Sequence, residues 1–119
     1  MDEVKYNKIK TAFEKNGGEM NSSPELDKYL DFRDADAVTL NSKLIVFRYG
    51  SPPTASELFE ELIHTAQFKN GRISSALTAE NEIEAKEKLI KYQKQYGIPD
   101  QENQQTKMQL EELYKERQG

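Results

Sequence analysis

The stretch AVTLNSKLIVFRY, residues 37–49, decides the fold class of this chain. Its β-branched, aliphatic and aromatic content predicts two strands, over residues 37–40 and 43–49, the second covered on both faces. Asn41 and Ser42 fit a two-residue hairpin loop between them. The other periodic segments have the three- and four-residue apolar spacing of helices. We therefore expect an α+β domain, mostly helical, with helices packed on a small β-hairpin or sheet.

Helices are predicted on both sides of this hairpin. Gly17 suits the end of the first helix, and the T-x-x-E pattern from Thr54 to Glu57 is a capping box that begins the third. Thr78 begins the fourth. The predicted helices cover residues 4–15, a short segment from Pro24, about 54–68, about 79–96 and about 101–116, with loops at 50–53 and 72–77. Residues 1–119 then form one domain, with a motif core at about 37–99 and a peripheral C-terminal helix at about 100–117.

Composition narrows the function classes. The net charge is −4 and the pI about 5.1, which argues against a general nucleic-acid-binding protein, since such proteins need a basic face. A cluster of lysines leaves a local basic patch open: Lys86, Lys88, Lys91 and Lys94. The chain has no cysteine, which excludes thiol catalysis and thiolate metal sites.

The segment EELIH, residues 60–64, contains the only histidine of the chain. It is the zinc-protease helix motif H-E-x-x-H with glutamate in place of the first histidine. On a helix, Glu60 and His64 lie four residues apart and can contact the same point. Glu61 keeps the position of the general base beside a metal-bound water. These spacings make Glu60 and His64 candidate metal ligands and Glu61 and His64 candidate catalytic residues.

An ordinary acidic helix is the competing interpretation. At 100° per residue the apolar residues of this helix fill one arc, and the opposite arc holds Glu57, Glu60, Glu61, His64 and Gln67. Polar arcs are usually solvated. On this basis Glu61→Gln should change stability by only about ±0.5 kcal/mol, as at other surface positions.

Glu82 provides a second observation. It extends the apolar stripe of the long helix, which includes Ala85 and Leu89, toward the helix N-terminus. A carboxylate on a stripe that faces the core needs a partner, which a metal or His64 would supply. Glu84 lies about 160° away around the same helix, from the rotation of roughly 100° per residue. Alternatively, Glu82 is only the acidic residue that a first helical turn favours.

Three segments together resemble a known family: TASELFEELIHTAQ (residues 54–67), EIEAKEKLI (residues 82–90) and YGIP (residues 96–99). They are similar to the zincin-like metallopeptidase toxin domains, C-terminal effector modules of bacterial polymorphic toxins. The shared pattern is E-E-x-x-H-x-x-Q followed by E-x-E-A on the next helix. The resemblance covers about half of the chain, from Pro53 to Pro99, and implies a minimal zincin-like fold.

The resemblance also implies an activity and a site. The chain would be a metal-dependent peptidase that acts as a toxin, with Glu60 and His64 as ligands and Glu61 as the base. Glu82 or Glu84 would be a further ligand, and two residues would contact the ligands or the substrate: Gln67 and Glu57. The cofactor would be a divalent metal. Zinc is one candidate, and a site rich in oxygen also suits Mn²⁺ or Mg²⁺.

The resemblance and the apolar content of the chain together give the expected partners and location. We expect a protein or peptide substrate, an immunity protein, and no membrane, since no apolar run approaches roughly 20 residues. No apolar segment typical of a signal peptide follows Met1. The chain would be cytoplasmic or delivered within a larger secreted toxin. Two other functions stay open: a non-catalytic interaction module that uses the acidic helix face, and a metal-independent toxin nuclease that uses His64 with a glutamate.

Overall fold

The computed structural model describes residues 1–50, 52–73 and 76–118, and it confirms the α+β prediction. Ser51, Ser74 and Ser75, in the two predicted loops, lie outside the described residues, as does Gly119. The elements in chain order are α1 (Glu3–Lys15), β1 (Glu19–Asn21), α2 (Pro24–Arg33), β2 (Ala37–Asn41), β3 (Leu44–Phe47), α3 (Ala55–Lys69), α4 (Ala79–Lys91), α5 (Gln93–Tyr96) and α6 (Asp100–Gln118).

The sheet has three strands in the order β1-β3-β2, with β2 antiparallel and β1 parallel to β3. The hairpin loop is Ser42 and Lys43 rather than Asn41 and Ser42, because Asn41 pairs with Leu44. Asn41 Oδ1 accepts a hydrogen bond from the Lys43 amide at 2.8 Å, which stabilises this turn. Strand β1 was not predicted. It has three residues with one buried side chain, Met20, and so depends on its pairing with β3.

Strand β3 ends at Phe47, two residues before the predicted end. The next residue, Arg48, turns toward α2. Its guanidinium donates to the Asp31 carboxylate at 2.6 Å and to the Ala35 carbonyl at 3.0 Å. Contacts with another helix therefore end the strand, although strand-forming residues continue to Tyr49.

The helices cover both faces of the sheet, and α3 lies at the centre of the domain. On one face, buried Ile45 and Phe47 pack with Leu58 of α3 and with residues of α1. On the other face, Val38 and Val46 pack with Leu30 of α2. The far side of α3 packs on α4, in a third cluster that includes Ile63, Ala85, Leu89 and Ile98. The expected covering of β3 on both faces is therefore present.

The predicted long helix over residues 79–96 is interrupted. Helix α4 ends at Lys91 and the single turn α5 follows Tyr92, which has φ −105° and ψ 23°. The interruption accompanies the stacking of Tyr96 on Phe59, with ring centroids 4.4 Å apart. A pattern of apolar spacing continues through this position, so the sequence alone predicted one helix.

Helix α6 returns along α4 and reaches the start of α3. Its Leu110 is buried, and the Glu102 carboxylate accepts hydrogen bonds from the amide and hydroxyl of Ser56 at 2.9 and 2.8 Å. It thereby encloses the space above α3 and α4. Among the described helices, none combines the length and the apolar character that a membrane crossing requires.

Truncation of one core side chain, Leu58, should destabilise the fold strongly. Leu58 is fully buried between α3 and the sheet. We expect Leu58→Ala to lower the free energy of unfolding by about 2–5 kcal/mol, through lost transfer free energy and a residual cavity. Urea unfolding followed by circular dichroism measures it. Met108→Ala is the control, because Met108 is 66% exposed, and equal losses for both variants would contradict this core.

Candidate metal site

The capping box that begins α3 places the site along that helix. Thr54 Oγ1 accepts a hydrogen bond from the Glu57 amide at 3.2 Å, and Glu57 Oε1 accepts one from the Thr54 amide at 3.3 Å. Glu57 is thus occupied at the helix cap, where it also lines the cavity described below. One turn further along, the segment at residues 60–64 faces β2 and α4.

Glu60, Glu61 and His64 converge at one point. Each offers a ligand atom, and these atoms lie within 4.8 Å of one another. Most of the polar arc is not solvated, which corrects the surface expectation: Glu61, His64 and Gln67 are 5%, 1% and 2% exposed, while Glu57 and Glu60 are half-buried. The reason is that β2 and α4 pack over this arc. Thr39 Oγ1 of β2 donates to Glu61 Oε1 at 3.1 Å.

Gln67 determines which nitrogen of the His64 imidazole carries the proton. Gln67 Nε2 donates to the Asn81 carbonyl at 3.0 Å and to Glu84 Oε1 at 2.9 Å, so both amide hydrogens are in use. Gln67 Oε1 therefore faces His64 Nδ1, 2.8 Å away, as an acceptor. An acceptor there requires Nδ1 to carry a proton. In the neutral imidazole, Nε2 then has a free lone pair, as a metal ligand needs.

The structure separates the two carboxylates of the E-x-E pattern. Glu82 Oε1 lies 3.6 Å from His64 Nε2, on the ligand side of the ring. Glu84 contacts Gln67 and Arg72 instead, on the side of Nδ1. Of the two expected third ligands, only Glu82 lies beside Nε2. The helical rotation between residues 82 and 84 directs their side chains apart. Glu84 therefore accepts a hydrogen bond from the side-chain amide of Gln67, which in turn orients His64.

Lys86, which the sequence analysis placed in a lysine cluster and not at the site, is a site residue. It is buried, and its Nζ lies 2.6 Å from Glu60 Oε1 and 3.8 Å from Glu82 Oε2. It therefore faces inward and does not belong to a basic surface patch. The available signal was its position one turn after Glu82 on the same helix face.

Burial shifts the protonation of two carboxyl groups. Desolvation, with a further contribution from neighbouring Glu60, raises the pKa of Glu61 to about 8, and the Thr39 hydrogen bond opposes this. Desolvation and then Glu60 also raise the pKa of Glu82, while His64 and Lys86 lower it. In the metal-free protein Glu61 therefore holds its proton at neutral pH.

A cavity of about 730 Å³ opens over these groups. Helix α6 forms one wall and the residues before and at the start of β2 form another. Lys86 is the one lysine or arginine that lines it among the described residues. Eight carboxyl groups line the same cavity, those of Asp34, Asp36, Glu57, Glu60, Glu61, Glu82, Glu102 and Glu112. This lining favours cations and disfavours phosphate groups.

Glu60, Glu61 and His64 could hold a metal ion. An imidazole nitrogen with a free lone pair and carboxylate oxygens are donors that divalent ions such as Zn²⁺ and Mn²⁺ accept, so these residues fit such an ion. No protein-family model, curated protein or solved structure matches the chain. Its function is therefore inferred from this geometry.

The pKa of Glu61 has a consequence for stability. Its folded-state value of about 8 exceeds the ordinary 4.5, so between these values the folded state binds more protons than the unfolded state. Stability of the metal-free protein should therefore fall, on the order of a few kcal/mol, as pH rises from about 5 to 8. Glu61→Gln cannot titrate, and it should reduce this decline and be more stable than the parent at pH 8.

Urea unfolding at several pH values in the presence of a chelator measures this difference. Glu111→Gln is the matched control, because Glu111 is exposed. Any fall in stability with pH that remains in Glu61→Gln comes from Glu82 and other groups. The test is therefore the difference between the stability–pH curves of the parent and of Glu61→Gln. Parallel curves for the parent and Glu61→Gln would contradict the raised pKa.

Proposed function

We propose that this chain is a metal-dependent hydrolase, specifically a peptidase of the zincin-like type. The observation that carries the proposal is the free lone pair of His64 Nε2, directed toward acidic side chains at a cavity. Glu60, Glu61 and His64 each offer a ligand atom within 4.8 Å of the other two, and Glu82 Oε1 is 3.6 Å from His64 Nε2. The role as a toxin, and an immunity protein as partner, are predictions of the family resemblance alone.

In this proposal the ligands are Glu60 and His64, with Glu82 completing the set. A divalent ion held there would act as a Lewis acid and would make water a stronger acid. Gln67 keeps the imidazole in the orientation and tautomer that binding needs. A peptide substrate would reach the ligands through the cavity of about 730 Å³, which Glu60, Glu61 and Glu82 line.

Glu61 is the proposed proton acceptor. It lines the cavity beside the ligands and does not need to be one of them. Its carboxylate takes a proton from the attacking water and returns it to the leaving amine, as a general base and then a general acid. A pKa of about 8 in the metal-free protein is close to neutral pH, and a nearby dication would lower it.

The charge of the cavity lining helps to distinguish the hydrolase from the nuclease. A metal-independent nuclease needs a basic groove for the phosphate backbone, whereas this cavity carries eight carboxylates and one lysine. The geometry therefore favours the hydrolase over the nuclease. The interaction module would use the same acidic surface without metal or turnover, and the next experiment separates it from the hydrolase.

Metal binding and hydrolysis should depend on different residues. His64→Ala should abolish binding of Zn²⁺ and Mn²⁺, because the chain has no second histidine. Glu61→Gln should still bind metal but hydrolyse about 10²–10⁴-fold more slowly, as for the loss of a general base. Calorimetry with tag-free, chelator-treated protein measures binding, and mass spectrometry of new amino termini in a peptide library measures hydrolysis.

Glu111→Gln is the control, and circular dichroism verifies that each variant is folded. If the parent protein binds metal but produces no new amino termini in the peptide library, the peptidase proposal is overturned and the chain is a metal-binding module. Absence of metal binding by the parent would overturn the metal-dependent function. Growth inhibition on expression inside a bacterial cell then tests the toxin role separately.

Gln67→Met isolates the orientation of the imidazole. Methionine keeps the length of the side chain but cannot accept from His64 Nδ1 or bridge to α4. We expect metal affinity to fall by about 10–100-fold, as when a hydrogen-bond partner of a metal-binding histidine is removed. Titration calorimetry measures it, with Gln104→Met at an exposed position as the control. Unchanged affinity would show that His64 needs no such partner.

A further inference from the structure

Lys86 places a cation between two of the proposed ligands. Its Nζ is 2.6 Å from Glu60 Oε1 and 3.8 Å from Glu82 Oε2, and only 11% of its side chain is exposed. Charged groups enclosed in this way are stable only when an opposite charge compensates them. In the metal-free protein the ammonium supplies this compensation. The site is therefore already partly neutralised without an ion.

A divalent ion bound by Glu60 and Glu82 would compete with the ammonium for the charge of the same two carboxylates. An ammonium that kept its hydrogen bond to Glu60 Oε1 and its position 3.8 Å from Glu82 Oε2 would be strongly repelled by that ion. We propose that Lys86 is a tethered competitor of the divalent ion, and that metal binds only when the ammonium leaves Glu60 and Glu82. This inference rests on the proposed metal-dependent function and adds a regulation of the same site.

The surroundings allow this exchange by a side-chain movement alone. The backbone of α4 is anchored at Ala85 and Leu89, which are 0% and 2% exposed. The lysine stem is flexible, and it adjoins the cavity of about 730 Å³. Further carboxylates on the cavity wall, Glu102 and Glu112, offer the displaced ammonium a new environment. Metal affinity would thus be set by a balance between two cations, and the fold would not require metal.

Lys86→Met tests the competition directly. Methionine keeps an unbranched stem and removes the charge, so Zn²⁺ and Mn²⁺ should bind about tenfold more tightly or better, as expected when a charge-assisted hydrogen bond no longer has to be broken. Calorimetry on tag-free, chelator-treated protein measures the Kd for each ion. Lys88→Met, on the exposed side of the same helix, should leave the Kd unchanged. Lys86→Arg retains the competing charge and should bind no more tightly than the parent.

Nuclear magnetic resonance of the unaltered protein gives a second measurement that does not depend on a variant. The side-chain nitrogen and ε-carbon signals of Lys86 should shift on saturation with Zn²⁺, while those of Lys88 should not. Metal binding that leaves the Lys86 signals unchanged would overturn the inference.

The calorimetric outcomes separate this inference from the proposed function. Equal or weaker metal binding by Lys86→Met than by the parent would overturn the competition and leave the hydrolase proposal intact. If neither protein binds Zn²⁺ or Mn²⁺, the proposed function itself fails, and the competition with it. Tighter binding by Lys86→Met alone, with the controls unchanged, supports both.

Discussion

The domain depends on one constraint, the enclosure of a row of polar side chains on α3 between β2 and α4. A buried polar group without a partner costs free energy, so each of these groups must find one within the protein. Thr39 donates to Glu61 across one side of the row. On the other side Gln67 spans from α3 to the Asn81 carbonyl and to Glu84. These contacts set how α3 lies against its neighbours, beside the apolar clusters that supply most of the burial.

The same enclosure creates the charge properties of the site. Three carboxyl groups, those of Glu60, Glu61 and Glu82, lie close together, with Glu61 buried and the other two half-buried. The structure relieves their repulsion in two ways, since Glu61 holds a proton and Lys86 pairs with Glu60. Shifted pKa values of this kind concentrate at functional sites, although structural ion pairs also produce them. Here the shift coincides with a cavity and with an oriented imidazole, which is why the chemistry is proposed at this point.

The proposed function would depend on the side chains that hydrogen-bond to the candidate metal ligands as much as on the ligands themselves. The imidazole of His64 is useful to a cation because Gln67 fixes the proton on Nδ1, and Gln67 is itself held by α4. Helix α6 contributes a wall of the cavity, so the C-terminal segment shapes what can reach the site. A module of this size can therefore assemble a complete set of candidate groups from two helices and the edge of a sheet.

Local features were predictable because the interactions behind them lie within a few residues of each other. The hairpin residues indicated the α+β class, and Thr54 and Thr78 marked helix starts that the structure confirms. Gly17, with φ of 86°, ends α1 as expected for a residue that adopts a left-handed conformation without strain. The spacing within residues 60–64 also placed Glu60, Glu61 and His64 on one side of a helix.

The sequence by itself thus determined the fold class, the helix starts and which side chains share a face of α3. Only the tertiary structure decided the strand β1, the interruption of the long helix at Tyr92, and the choice of Glu82 over Glu84 beside His64. It also decided that Glu61 is buried and that Lys86 points inward. The physical reason is that a helical wheel gives the direction of a side chain from its own axis. It contains no information on which distant element packs over that face, and burial, charge pairing and pKa depend on that element.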